Sequence, residues 1–231
     1  MKTPSLGTYD ILSFDCYGTL VDWESSIVET LQDIFQFHDA NMNNDVVLEY
    51  FATWEPEEQA QGGSYRNVLR RVLMKCGFRL GFVPRSEDLS RFEECVARSK
   101  PFEDTCDSLR TLQDYFKLAI ISNTDNDLFE ITSEALGVEF AHVVTAENTG
   151  CYKPDAAMFE AAIQKFGRSQ RVLHVAQSLF HDIAPAHAMG IDTVWIDRTD
   201  GRAGAARSSD ATPTWRYADL AAFAQAMVDT S

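Results

Sequence analysis

An alternation in the second half of the chain constrains its fold more than any other feature. Short apolar runs rich in β-branched residues lie at 117–122, 142–145, 171–176 and 193–196, after an earlier one at 9–14. Between the later runs stand segments of helical spacing at 127–136, 155–166 and 183–189. Strand-length runs alternating with helical segments are the pattern of βα units, which assemble into a parallel, doubly wound α/β sheet. Strands that are apolar throughout, and not at every second position, fit a sheet covered by helices on both faces.

Residues 21–100 break this rhythm. They carry apolar residues at helical spacing over 26–37, 46–60, 64–76 and 86–99, with no strand among them. The expected organisation is therefore an α/β core of residues 1–20 and 101–231 with a helical cap of residues 21–100 inserted after the first strand. Entering there, the cap should stand over the carboxyl ends of the strands, where open α/β sheets place their ligands. The Gly/Ala/Ser-rich stretch 199–213 reads as a surface connection.

The composition is that of a protein with a proper core: 45% of the 231 residues are apolar and 24% charged. A net charge of -15 repels nucleic acid and anionic membrane surfaces alike, so neither is an expected partner. It does not exclude a small anionic substrate, since a few local cations in a cleft outweigh a distant, salt-screened field. Five cysteines without a C-x-x-C pair or a zinc-ligand spacing read as reduced thiols. No run of about 18 apolar residues occurs and the first residues lack a hydrophobic signal core, so a cytoplasmic location is expected. An amphipathic cap helix leaves a homodimer open.

Polar residues gather where the strands end. Asp15 and Thr19 follow the first, Ser122-Asn123-Thr124-Asp125 the second, Lys153 sits in G-C-Y-K-P-D, and Gln177-Ser178 with His181-Asp182 follow the fourth. Parallel strands bring such clusters to one edge of the sheet. The residue types suit a carboxylate nucleophile, a lysine that keeps it ionised, and hydroxyl, amide and backbone N–H groups for an anion. A single Asp after a strand is most often a turn or helix cap; four clusters at successive strand ends are not explained that way.

F-D-C-Y-G-T-L, I-S-N-T, Y-K-P-D, and a serine and an acid after the fourth strand together resemble the haloacid dehalogenase superfamily of hydrolases, over nearly the whole chain. The resemblance implies covalent catalysis: Asp15 attacks the substrate, water then attacks the Asp15 carboxyl carbon, and Lys153 balances charge. Phosphatases of the superfamily place a second aspartate two positions after the nucleophile, to protonate a leaving alkoxide. Here that position is Tyr17, and a tyrosine with an ordinary pKa of about 10 is poorly matched to the task. A halide needs no proton. The superfamily's 2-haloacid dehalogenases have tyrosine there and work without magnesium, so the leading expectation is a 2-haloacid dehalogenase acting on a small 2-haloacid, with no metal and no cofactor.

Under that resemblance Ser122 and Asn123 bind the substrate carboxylate, Thr19 steadies Asp15, and Ser178 and Asp182 orient Lys153 and the hydrolytic water, with Tyr17 beside the substrate. The chain also departs from the pattern. Those dehalogenases carry an arginine early in the cap, yet no Lys or Arg occurs between Lys2 and Arg66; either Arg66 supplies the cation from a later helix or the leaving group is not a free halide. Phe159 stands where they often have a tyrosine, and Ser178 matches their motif only approximately. Trp23-Glu24, at the start of the cap, is either a hinge or a cation–π and charge site for an ammonium group. The latter would fit a relative that opens the ring of azetidine-2-carboxylate. His181 is a candidate base for the water step, with His174 and His187 behind it. Cys16 reads as a small packing residue, and Trp54 as core or cap-side pocket lining. The alternatives are a magnesium-dependent phosphatase of the same fold and a non-catalytic binding protein.

Overall fold

The computed structural model describes residues 4, 7–198 and 209–229. Most of the 199–213 stretch thus lies outside the described residues. Strand β1 (Ile11–Phe14) opens the chain and leads through β2 (Val21–Asp22) into four helices: α1 (Trp23–Phe37), α2 (Asn44–Gln59), α3 (Tyr65–Leu80) and α4 (Ser86–Glu94). A 3-10 turn, Cys95–Arg98, and β3 (Lys100–Pro101) return the chain to the sheet. Then follow α5 (Thr105–Gln113), β4 (Lys117–Ser122), α6 (Asn126–Leu136), β5 (His142–Thr145), α7 (Ala146–Thr149), α8 (Ala156–Phe166) and β6 (Val172–Ala176). The last elements are α9 (Ala184–Ala188), β7 (Asp192–Ile196), β8 (Trp215–Tyr217) and α10 (Leu220–Val228).

Six strands form one parallel sheet in the order β5-β4-β1-β6-β7-β8. The period-2 geometry of a strand sends successive side chains to opposite faces. Leu12 and Phe14, with Leu118, Ile120, Leu173 and Val175, pack against Leu109 and Leu112 of α5 and Leu220 and Phe223 of α10. Ile11, Ala119 and Ile121 pack the other way, against Met158, Phe159 and Ala162 of α8. Both faces are apolar because both are covered, as the continuous runs require. β1 lies centrally, with β4 and β5 on one side and β6 to β8 on the other, so the residues after β1, β4 and β6 meet where the chain reverses its direction across the sheet.

The inserted helices bury a core of their own. Ile27, Leu31, Ile34 and Phe35 of α1 form one stripe, spaced four, seven and eight residues from the first, and pack with Val47, Phe51, Val68, Leu69, Val72 and Phe92. Asp22 caps α1 through Ser25 N, and Ser64 caps α3 through Asn67 N. The link to the sheet is the two-residue ribbon in which β2 pairs antiparallel with β3, too short to show any periodicity in the sequence.

One carboxylate clamps this insertion to the core. Asp125 stands at the N-cap position of α6 yet makes no cap bond there. Its two oxygens instead accept the backbone N–H groups of Tyr65 at 2.8 Å and Arg66 at 3.0 Å, at the first turn of α3. Those are orphan donors at the positive end of a helix dipole. Asp125→Ala removes two hydrogen bonds to a charged acceptor and should lower the unfolding free energy by about 2–4 kcal/mol. Urea denaturation measures this, and a change within about 0.5 kcal/mol would show that the clamp carries no weight.

Candidate active site

Asp15 follows β1 directly and is buried. Its Oδ1 accepts from Lys153 Nζ at 2.8 Å and its Oδ2 from Thr19 Oγ1 at 2.7 Å. The Thr19 hydroxyl accepts in turn from Gln177 N at 2.9 Å, so the loops after β1 and β6 are joined behind the carboxylate. Thr19 thus holds Asp15 from behind and is not part of the cavity wall.

Lys153 donates three bonds: to Asp15, to Asp182 Oδ1 at 2.6 Å and to the Ile121 carbonyl at 2.7 Å. An ammonium has three N–H donors, so its capacity is filled. Asn123 fixes the Lys153 backbone from both sides: its Oδ1 accepts Lys153 N at 2.7 Å and its Nδ2 donates to Lys153 O at 3.1 Å. Asp182 arrives through a π-helical turn, Leu179–Ile183, which Ser178 caps by accepting His181 N at 3.0 Å. Ser178 makes that turn and a contact to His181 Nδ1 at 3.3 Å, and among the described bonds none reaches Lys153.

Behind Asp182 lies His174, which the sequence offers only as a lesser candidate base and not as a partner of this carboxylate. His174, wholly buried on β6, places Nε2 3.0 Å from Asp182 Oδ1 and Nδ1 2.9 Å from Ser13 Oγ. The Phe159 ring meets His174 edge-on, with centroids 5.2 Å apart, and so seals this side of the network with an apolar group. Burial pushes the Asp182 carboxyl up, but Lys153 and His174 outweigh it and hold it below its ordinary value. For Asp15 burial prevails over the pull of Lys153, with the Asp182 charge adding to it, and the pKa lies above the ordinary value. Burial lowers Lys153, yet the two carboxylates raise it above its ordinary value.

A cavity of about 70 Å³ opens onto these groups. Asp15, Tyr17, Trp23, Ser122, Asn123, Lys153, Ser178 and Asp182 line it, so eight of the expected site residues meet in one place. Gln177 and His181 complete the sheet side, and Glu55 and Tyr65 enter from the insertion. Ser122 Oγ is buried and has no hydrogen-bond partner among the described residues. Gly18 permits the close approach of Trp23: its φ is +92°, and a Cβ there would stand 2.9 Å from Trp23 Nε1. The Tyr17 hydroxyl lies 3.0 Å from Thr132 Oγ1, and burial raises its pKa.

Several expectations are corrected. Arg66 is not brought to the cavity: its guanidinium pairs with Asp127 at 2.8 Å and approaches Glu94 at 3.9 Å. Two acids on neighbouring elements outcompete a site that already holds Lys153. Glu24 does not line the cavity; the acid beside Trp23 there is Glu55. Of the two readings of Trp54, packing holds: it stacks on Tyr50 with ring centroids 4.5 Å apart and packs against the insertion's core, away from the cavity wall. His187 is exposed, whereas Cys16 is buried in the core, as expected of a small packing residue.

A buried aspartate at the end of the first strand, bonded to a lysine that a second aspartate shares, beneath an inserted set of helices, marks one class of hydrolase built on a parallel α/β sheet. The family model described as haloacid dehalogenase-like hydrolase matches residues 9–190, and the chain belongs to that family. It is 27% identical over 217 residues to an (S)-2-haloacid dehalogenase of Pseudomonas sp. (strain YL), covering 91% of each chain. It is 24% identical to an (S)-2-haloacid dehalogenase of Pseudomonas putida, covering 94% and 96% of the two chains. Its fold matches that of the L-2-haloacid dehalogenase from Xanthobacter autotrophicus with chloropropionic acid covalently bound, at TM-score 0.79 and 17% identity, over 94% and 97% of the two chains.

Lys153→Met would leave Asp15 and Asp182 buried without the charge between them. Removing one partner of a buried ionic cluster costs about 3–5 kcal/mol. Without Lys153 both carboxyls lose a group that lowers their pKa. Folded-state values above the unfolded ones penalise the ionised form, so the loss is largest above neutrality and shrinks as falling pH protonates one of them. Urea titrations of wild type and variant between pH 5 and about pH 8 check this. A loss independent of pH would refute the electrostatic origin.

Proposed function

We propose that the protein is a 2-haloacid dehalogenase that hydrolyses small 2-substituted carboxylic acids through a covalent Asp15 ester. An Asp15 carboxylate oxygen attacks C2, the new C–O bond forms as the carbon–halogen bond breaks, and the halide leaves with the electron pair. Water then adds to the Asp15 carboxyl carbon, the ester opens, and a 2-hydroxy acid and a proton are released.

The carrying observation is Tyr17. Two residues after the nucleophile it offers no acid of suitable strength, its hydroxyl pKa is raised, and it is directed to Thr132. That supports a leaving group that departs without a proton. The free Ser122 hydroxyl and the remaining Asn123 Nδ2–H suit a substrate carboxylate, and the small cavity suits a short acid. The names of the Pseudomonas relatives support the same reading. We include in it that no metal takes part. Its support is again Tyr17, since the family's magnesium-requiring phosphatases have an aspartate at that position. Asp182, Ser178 and His181 stand where they can orient the hydrolytic water, with His181 as its candidate base.

Turnover of each 2-chloropropionate enantiomer in oxygen-18 water, with and without EDTA, tests the proposal. Halide release that survives EDTA, with label entering the Asp15 carboxylate, is expected. Magnesium-dependent phosphate release from p-nitrophenyl phosphate without halide release would overturn it. Asp15 must be ionised to attack, and its pKa is raised by burial and by Asp182. Halide release should therefore fall on the acid side through a limb above the ordinary aspartate value of about 3.9. Asp182→Asn should move that limb to lower pH.

A further inference from the structure

The wall that the inserted helices give the cavity carries an acid and no base. Glu55 of α2 lines it together with Trp23 and Tyr65. Its Oε1 accepts from the Tyr65 hydroxyl at 3.1 Å and the Gln59 amide at 2.7 Å. Two neutral donors therefore fix the orientation of this carboxylate without neutralising it. The basic residues nearby in the insertion are engaged elsewhere: Arg71 and Lys75 with Glu58 at 2.7 and 2.6 Å, and Arg66 with Asp127. Among the described residues none forms an ion pair with Glu55. Burial raises its pKa to about 7, against the pull of the Tyr65 hydroxyl, as befits an acid without a cation.

The charges around the cavity are thus unbalanced. Asp15, Asp182 and Glu55 line it with Lys153, and that lysine is already shared by the first two. A plain 2-haloacid, whose only charge is its carboxylate, adds an anion to this excess. A molecule that also carries a cation does not. Trp23 and Tyr65 beside Glu55 put aromatic surface next to the acid, and the two together form the surroundings that a desolvated ammonium prefers.

We infer that the cavity selects a small carboxylic acid bearing an ammonium group, its carboxylate toward Ser122 and Asn123 and its ammonium toward Glu55, Trp23 and Tyr65. This rests on the reading of Asp15 as nucleophile at C2 and narrows the substrate to a zwitterion. The displacement itself is unchanged: Asp15 oxygen bonds to C2, halide departs, and water opens the ester.

Matched pairs that exchange an ammonium for a methyl group test it. The reactive pair is 3-amino-2-chloropropionate and 2-chlorobutanoate, read as kcat/KM for chloride release. The unreactive pair is β-alanine and butyrate, read as binding by calorimetry. The ammonium member of each pair should be preferred by about tenfold, and Glu55→Gln should bring both ratios to within about twofold of unity. The glutamine side chain keeps the Oε1 acceptor for Tyr65 and Gln59, so the variant preserves that wall while removing its charge. Equal or reversed preference in the wild type overturns the inference, and with Asp15 still labelled by oxygen-18 it leaves the dehalogenase reading intact. Tighter binding of β-alanine that depends on Glu55, without label in Asp15 from either chloro acid, instead fails the dehalogenase reading and retains the ammonium site. A preference that survives Glu55→Gln in full also overturns the assignment to Glu55.

Discussion

The ammonium of Lys153, held between Asp15 and Asp182, is the constraint on which the rest of the structure depends. Its side chain is 1% exposed, and so is that of Asp182. Taking such charges out of water costs several kcal/mol for each ion, which attraction offsets only where geometry is good and every donor is used. Here each N–H of the ammonium has an acceptor, one of them the Ile121 carbonyl at the end of β4. Thr19 satisfies the second oxygen of Asp15, and His174 adds a partner for Asp182. The strands that carry these residues must therefore keep their register within a few tenths of an ångström. A parallel sheet buried on both faces is rigid enough to do so.

That cluster also explains why the polar loops were readable and much around them was not. Asp15 and Asp182 stand in the polar stretches that follow the first and fourth apolar runs, and Lys153 stands in the short motif G-C-Y-K-P-D, so their positions are visible from local pattern alone. His174 is not. It lies within β6 in V-L-H-V-A, where an isolated histidine reads as a half-buried strand residue, and its purpose depends on Ser13 and Asp182 from elsewhere in the chain. Glu55 is concealed differently: in W-E-P-E-E it is one acid among several on a polar helix, and no local pattern separates it from the exposed Glu57. Tyr65 stands beside Arg66 at the start of α3. In a helix successive residues point about 100° apart, so one faces the cavity and the other Asp127.

Among the elements, the long periodic ones were legible and the short ones were not. The runs expected at 117–122 and 142–145 are β4 and β5 to the residue, and those at 9–14, 171–176 and 193–196 differ from β1, β6 and β7 by one or two residues at their starts. The helical insertion appears as four helices, although α3 runs on to Leu80, where Gly81 with φ +82° ends it. β8 covers only three residues, Trp215–Tyr217, and β2 and β3 two each. Segments that short are fixed by pairing partners distant in sequence, which leave no periodic trace.

In the proposed function, Tyr17 and Glu55 together divide the work of discrimination between the sheet and the insertion. Tyr17 belongs to the first motif, but its hydroxyl meets Thr132, whose own hydroxyl donates to the Ala97 carbonyl at 3.3 Å. The residue that stands in place of a proton donor therefore also ties the loop after β1 to α6 and to the end of the insertion. An aspartate there is too short to reach Thr132 in the same way. What leaves the substrate is, on that reading, governed by the sheet, through the absence of a matched acid beside Asp15. What the substrate carries besides its carboxylate is governed by α2, through a charge that no described residue neutralises. On the proposed reading the two decisions rest on different elements, so the insertion can change its preference without disturbing the buried cluster assigned to the displacement.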